Sequence, residues 1–157
     1  WKKELFAKVA PFLKDTVILA SNTSGLSIDA LSLGLPERLQ SRFLGIHFFN
    51  PPRYMRLIEC IPGQKTNQPM LEALEEFLVV RLGKGVVYAK DTPNFIGNRI
   101  GVFSMLSILH HAEQFGLSPD IVDALTGPFM GRPSSATYRT MDVVGLDTMK
   151  HVVKTMQ

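Results

Sequence analysis

Short apolar runs of strand type alternate with helical patterns along the chain up to about residue 90. The runs that read as strands lie at residues 17–20, 43–49, 57–61 and 85–89. Apolar residues at helical spacing predict helices at residues 2–14, 27–33 and 69–82. Such alternation is typical of a parallel sheet with helices on both faces. The sequence therefore predicts an α/β fold with a doubly wound sheet for this part of the chain.

Beyond residues 91–93 nothing reads as a strand, and the pattern becomes helical. Helices are predicted at residues 95–115, at 119–127 and from 146 to the chain end. Residues 128–140, rich in Gly, Pro and Ser, read as a loop. The residue before Pro93 is held extended, and we place the domain boundary there. Residues 1–91 then form the α/β domain and residues 92–157 an all-helical domain.

Both ends of the chain fall inside helical patterns, and the first residue is not Met. The last predicted helix has no stop signal, and its apolar face consists of Leu146, Met149, Val152, Val153 and Met156. We therefore expect the chain to be an internal fragment of a longer protein.

The 157 residues are 45% hydrophobic and 20% charged, the balance of a globular protein that buries a core. A formal net charge of +3 suits an anionic small molecule such as a nucleotide or a CoA ester. Without a basic run it does not favour nucleic acid. No apolar run has the length of a membrane span. The lone Cys60 excludes an intrachain disulfide and favours a reducing, cytoplasmic compartment.

Residue types that bind metals or act as nucleophiles are sparse. His110 and His111 have only Glu113 at a ligand spacing, so no metal site is predicted. Cys60 adjoins Glu59 in a predicted strand and therefore points to the opposite face. We expect this thiol to belong to the core.

A cluster of small polar residues, Ser-Asn-Thr-Ser at 21–24, directly follows the first predicted strand. Ligands of open α/β sheets bind at the carboxyl ends of strands, where such side chains can hold polar substrate atoms. A polar turn with a helix cap explains the same residues and is the commoner use of such a sequence. The residues alone leave both interpretations open.

His47 lies in an apolar strand, within the segment 45–51, and Glu59 lies in the next strand. If the two strands form an antiparallel hairpin centred on Arg53, positions 47 and 59 face each other. A carboxylate beside an imidazole fixes its tautomer and favours its acceptance of a proton. This is the pairing of general acid–base catalysis, although a buried pair with a structural role fits the pattern equally well.

Residues 91–99, with the sequence DTPNFIGNR, join the two predicted domains and open the long helix. Asn94 is predicted as the N-cap of that helix and Asn98 lies one turn into it. Clefts between domains are common ligand sites. Capping and turn formation account for the same residues without a ligand.

The chain closely resembles the L-3-hydroxyacyl-CoA dehydrogenase family in a set of motifs that occur in the same order, namely residues 21–24, residues 45–51, Glu59 and residues 91–99. Later segments at 131–133 and 142–147 also fit, and the chain looks most like the long bacterial forms fused to an enoyl-CoA hydratase. The resemblance implies the C-terminal part of a Rossmann-type NAD-binding domain. A helical domain that completes the cleft and mediates homodimerisation is implied to follow it.

The resemblance also implies roles for individual residues in the oxidation of an L-3-hydroxyacyl-CoA to a 3-oxoacyl-CoA during fatty-acid β-oxidation. His47 takes the place of the general base, and Glu59 orients and activates it. Ser24 and Asn98 match positions that hold the acyl-CoA substrate.

The implied cofactor is NAD, and Lys2, Ser24 and Asn50 match positions that contact it in that family. The chain also departs from the family. The spacing from Ser24 to His47 is slightly longer than in the mammalian form, and Asn94 stands where Gly is commoner. No G-x-G-x-x-G phosphate-binding turn occurs in the 157 residues. We therefore expect these residues alone to bind NAD weakly.

Two other functions compete with this interpretation. A non-catalytic acyl-CoA-binding or dimerisation module on the same scaffold needs no base, so retention of both His47 and Glu59 argues against it. A β-hydroxyacid dehydrogenase resembles this chain in architecture but commonly uses a lysine base, which does not match the histidine and glutamate found here.

Overall fold

The computed structural model describes residues 1–154, apart from the side chain of His151. The chain divides into two compact units, Trp1–Ile96 and Gly97–Gln157. All strands among the described residues lie in the first unit. None of the described helices is long and apolar enough to cross a membrane.

The first unit contains short helices and strands in the order α1 (Lys2–Val9), β1 (Leu19–Ser21), α2 (Ile28–Ser32), α3 (Glu37–Gln40), β2 (Phe43–Phe48), β3 (Leu57–Pro62), α4 (Gln68–Glu76) and β4 (Gly85–Tyr88). α1 is shorter than the predicted helix at 2–14 and gives way to a 3₁₀ turn, Ala10–Phe12. Pro11 lacks the N–H that would continue α-helical bonding there. A π-helical turn, Phe77–Arg81, extends α4.

The four strands form one sheet in the order β1-β2-β3-β4. β1 is parallel to β2 and β3 is parallel to β4, but β2 and β3 are antiparallel. The predicted α/β class is thus confirmed, while the expectation of a parallel sheet is wrong at its centre. Only residues 49–56 join β2 to β3, and parallel neighbours need a longer crossover connection.

Buried apolar side chains form two layers on opposite faces of the sheet. One layer contains Phe43 and Ile61 together with residues of α1, α2 and α3, and the other contains Leu44 together with residues of α4. Neighbours in a strand point to opposite faces, which is why Phe43 and Leu44 belong to different layers. Burying one such side chain contributes about 1.5–3 kcal/mol. Gly45 allows α2 to approach closely, since a Cβ there would lie 2.8 Å from Ile28.

The sheet topology gathers polar residues at one edge. β1 and β2 end at this edge, and the antiparallel β3 begins there. The polar turn at 21–24, His47 near the end of β2 and Glu59 near the start of β3 therefore share the edge. Ligands of open α/β sheets bind at such carboxyl ends.

The second unit is helical over its described residues, with α5 (Gly97–Gln114), α6 (Pro119–Thr126), a 3₁₀ turn (Pro128–Met130), α7 (Tyr138–Val144) and α8 (Leu146–Lys154). α5 begins two residues later than predicted, because Asn94 and Phe95 have left-handed backbones that a helix cannot include. The N-cap predicted at Asn94 is therefore wrong. Met156, predicted on the face of the last helix, lies outside the described residues.

The start of α7 falls within residues 128–140, which were predicted to be a loop. The carboxylate that binds its first amides belongs to another helix. Asp123 of α6 accepts hydrogen bonds from the backbone N–H groups of Thr137, Tyr138 and Arg139 at 3.0, 2.7 and 3.2 Å. These amides have no acceptor within the helix itself. The start of α7 therefore depends on a residue that lies outside its own segment of the sequence.

Candidate active site

A histidine–glutamate pair is buried at the edge where β2 ends and β3 begins. The register places His47 directly opposite Glu59, and His47 Nδ1 lies 2.6 Å from Glu59 Oε2. Only 5% of His47 and 0% of Glu59 is exposed. The predicted direct contact between the two side chains is confirmed.

The hydrogen bond assigns distinct roles to the two nitrogens of the ring. A carboxylate can only accept, so Nδ1–H of His47 donates to Glu59. Nε2 of the neutral imidazole then carries the lone pair that can take up a proton. The carboxylate stabilises the imidazolium that results. The pair can therefore act as a general base whose tautomer is fixed.

Aromatic rings and a backbone amide enclose the pair. The imidazole of His47 packs against Phe49 and Phe95, with ring centroids 4.7 and 5.7 Å away. The second oxygen of Glu59, Oε1, accepts a hydrogen bond from the N–H of Ile96 at 2.8 Å. Both carboxylate oxygens are thus held in one orientation, which also orients the ring.

The turn that follows β1 lies beside β2 and the first helix. Lys2 Nζ donates to Ser21 Oγ at 3.3 Å, and the N–H of Phe48 donates to Asn22 Oδ1 at 3.1 Å. Thr23 Oγ1 accepts from backbone N–H groups of the same turn. Ser24 is exposed. Three residues of the polar cluster are thus engaged structurally, while the exposed hydroxyl of Ser24 is accessible to a ligand.

Asn50 follows β2 and is exposed at the start of the loop 51–56. Lys84 stabilises this loop, because its ammonium group donates to the carbonyl oxygens of Pro52 and Met55. Asn50 therefore leads into a loop that is bound to the rest of the first unit.

Asn98 lies in the first turn of α5, in the second unit, and is half-buried. His110 and His111 lie near the other end of the same helix, are both exposed, and have ring centroids 5.5 Å apart. The described residues include no group of three or more His, Cys, Asp or Glu side chains that could hold a metal ion.

Cys60 occupies the position predicted for it, in the core. It is 1% exposed and packs on the face of the sheet that α4 covers. Burial, together with the nearby charge of Glu75, raises the pKa of the Cys60 thiol to about 11. The thiolate, which is the reactive form, is therefore scarce at neutral pH.

Sequence reasoning found the pair but missed two groups that support it. Asn22 bridges β1 to β2, and its position in the cluster at 21–24 gave no sign of this role. The N–H of Ile96 is a backbone group. Since nearly every residue carries such a group, the residue type at this position gave no indication of its role. Its only signal was the motif at 91–99, for which the sequence left a ligand cleft and a helix cap as alternatives.

Two family models match the chain and together span nearly all of it. The model described as "3-hydroxyacyl-CoA dehydrogenase, NAD binding domain" matches residues 1–92. The model described as "3-hydroxyacyl-CoA dehydrogenase, C-terminal domain" matches residues 95–157.

Individual relatives agree with these models. The "Probable 3-hydroxyacyl-CoA dehydrogenase" of Deinococcus radiodurans is 48% identical over 151 residues, which cover 96% of this chain and 44% of the relative. The human "Hydroxyacyl-coenzyme A dehydrogenase, mitochondrial" is 38% identical over 97% of this chain and 47% of its own length. The chain therefore spans less than half the length of either relative.

A solved structure shares the fold. The crystal structure of M. tuberculosis FadB2 superposes with a TM-score of 0.87 at 31% sequence identity. The match covers 99% of this chain and 54% of that one.

Proposed function

We propose, since the chain belongs to the 3-hydroxyacyl-CoA dehydrogenase family, that its protein oxidises an L-3-hydroxyacyl-CoA to the 3-oxoacyl-CoA in fatty-acid β-oxidation. The observation that carries the proposal is the buried contact of 2.6 Å between His47 and Glu59. Oxidation of a secondary alcohol requires a group that removes the hydroxyl proton. The pair supplies a base of this kind at the sheet edge.

In the proposed reaction Nε2 of His47 takes the proton of the substrate's 3-hydroxyl group, and the imidazolium is stabilised by Glu59. NAD, held by the cofactor contacts proposed below, would supply the acceptor for the hydride from the same carbon. Loss of the O–H proton and of the C–H hydride leaves the carbonyl of the 3-oxoacyl product. Ser24 and Asn98 are the proposed substrate-binding residues, and Ser24 is also the proposed contact near the nicotinamide.

The donors at the sheet edge suit the carboxamide and ribose oxygens at the nicotinamide end of NAD. Lys2, Ser24 and Asn50 offer an ammonium, a hydroxyl and an amide group, and Lys2 already donates to Ser21 at the end of β1. Amide and ribose oxygens are natural acceptors for such donors. We propose these three residues as cofactor contacts, in a region where open α/β sheets bind dinucleotides.

The proposed domains are residues 1–91, as the C-terminal portion of the NAD-binding domain, and residues 92–157, as part of the helical domain. Residues 92–96 connect the proposed domains and belong to the first compact unit. Their contacts with the pair explain why the unit extends to Ile96.

The test of the function is an assay of the full-length protein with NAD and L-3-hydroxybutyryl-CoA, followed by NADH absorbance. We expect turnover of the L enantiomer, because Glu59 holds His47 in one orientation and a fixed base can reach the hydroxyl group of only one enantiomer. The D enantiomer serves as the matched control and should give little NADH. Saturable CoA-ester binding without NADH formation would instead support a non-catalytic binding module.

We further propose that the protein is a homodimer through the helical domain. α5 presents a row of exposed apolar side chains at a spacing of three residues: Ile100, Phe103 and Leu106 are 64, 72 and 42% exposed. Residues three apart lie on one helix face, and a contiguous apolar face marks an interaction surface. A second copy offers the same face, as a two-fold interface requires.

Phe103→Glu should therefore convert the dimer into a monomer, because it places a charge in the centre of the proposed interface. Light scattering coupled to size-exclusion chromatography measures the mass directly. Phe103→Tyr keeps the apolar ring and should remain dimeric. A wild-type protein that stays monomeric at high concentration would contradict the proposal.

A further inference from the structure

The segment between Thr92 and Gly97 contains two consecutive left-handed residues. Asn94 has φ of 60° and Phe95 has φ of 48°. This conformation costs an L-residue about 1–2 kcal/mol and is unusual for a bulky aromatic side chain. Backbone strain of this kind persists only where surrounding contacts stabilise it.

The strained turn delivers two groups to the His47–Glu59 pair. It directs the N–H of Ile96 at Glu59 Oε1, at 2.8 Å. It also places the ring of Phe95, only 2% exposed, against the imidazole of His47. A single turn thus contacts both members of the pair, and it binds the oxygen of Glu59 that does not contact His47.

Asn94 itself is 2% exposed and packs against the turn that carries Ser24. Its Oδ1 lies 3.2 Å from the position that a Cβ on Gly25 would occupy. Of the non-glycine residues, Asn is among those best suited to a left-handed backbone. Asn94 therefore has both the conformation and the contacts needed to fix the turn between the pair and Ser24.

We propose that Asn94 is a positioning residue: its left-handed backbone aims the N–H of Ile96 at Glu59 and so holds the carboxylate in the orientation that serves His47. This inference rests on the proposed function, because it assigns how the base is held. Asn94 acts through Glu59 and is not itself assigned a proton-transfer role. Substrate affinity should depend little on it, whereas turnover should depend on it strongly.

The matched pair Asn94→Gly and Asn94→Ala in the full-length enzyme tests the backbone role. Both substitutions remove the amide, but only alanine is penalised in the left-handed region. We expect kcat of Asn94→Ala to be about five- to thirtyfold below that of Asn94→Gly, as the aligned turn becomes less populated. KM should be similar in the two variants.

An amide-to-ester replacement at residue 96 removes only the proposed donor. We expect kcat to fall about ten- to hundredfold, the usual effect of losing one hydrogen bond to a charged group. KM should stay close to the wild-type value, because the donor touches Glu59 and not the proposed substrate contacts. A loss of kcat at unchanged KM is a split that a general loss of structure would not produce.

His47→Ala is measured alongside to separate the two hypotheses. If His47→Ala retains full turnover, the proposed function is wrong. If His47→Ala is inactive, but Asn94→Ala equals Asn94→Gly and the ester leaves kcat unchanged, the positioning role alone is wrong. Reduced kcat at unchanged KM in both Asn94→Ala and the ester variant supports it.

Discussion

Replacing His47 with alanine in the full-length protein should lower kcat by about 10²- to 10⁴-fold, the usual contribution of a general base. The substrate's hydroxyl proton then has no acceptor at the sheet edge, while the rest of the site is retained. KM should change much less than kcat, because the proposed substrate contacts, Ser24 and Asn98, remain. Steady-state measurement of NADH formation gives both constants.

His111→Ala is the matched control, since it removes an exposed imidazole from α5. We expect it to keep the wild-type kcat. Circular dichroism of both variants shows whether either substitution disturbs the fold. If His47→Ala folds normally and turns over at the wild-type rate, the pair has a structural role only, and a binding or dimerisation module becomes the better interpretation.

The contact between His47 and Glu59 could be predicted because it depends on strand register alone. Side chains alternate along a strand, and a hairpin centred on Arg53 makes residues 47 and 59 neighbours. The structure contains this pairing and the contact that follows from it. Two residues distant in the sequence could thus be placed together without knowledge of the helices that cover them.

The same hairpin shows why the sheet was only partly predicted. Alternation of helices and strands indicates parallel neighbours, and this rule holds for β1–β2 and for β3–β4. It fails between β2 and β3, where no helix intervenes. The expectation for the whole sheet therefore conflicted with the hairpin on which the His47–Glu59 contact was based, and the local connection determined the outcome.

Contacts in which the backbone of one segment meets a residue from a distant segment could not be predicted from the sequence. The left-handed pair Asn94 and Phe95 is stabilised by packing against other parts of the first unit, and its residue types read equally well as a helix start. α7 is a second case, because the residues near its first turn include no side chain that caps it. Its cap, Asp123, is supplied by α6, and no local pattern reveals such a partner.

Asp123 is held as a carboxylate by the start of α7. Burial by itself raises the pKa of Asp123, but hydrogen bonds from Tyr138, Arg139 and Thr137 and the guanidinium of Arg139 outweigh it, so the pKa lies below its ordinary value. A negative charge at a helix N-terminus is stabilised by the helix dipole as well. Because the folded pKa is depressed, this stabilisation is fully present above the unfolded value of about 3.9. It is lost as the pH falls through the folded pKa.

Asp123→Ala should accordingly lower the free energy of unfolding by about 2–4 kcal/mol near neutral pH, since three backbone N–H groups lose their acceptor. Asp123→Asn keeps an oxygen for Thr137 and Tyr138 but has no charge, and should be intermediate. Denaturant unfolding of the full-length protein measures these values, and hydrogen exchange at residues 137–139 localises the effect to α7. The difference between wild type and Asp123→Asn should shrink as the pH falls below about 4. A difference that is constant with pH, or unchanged exchange at α7 in Asp123→Ala, would show that the carboxylate does not stabilise this helix.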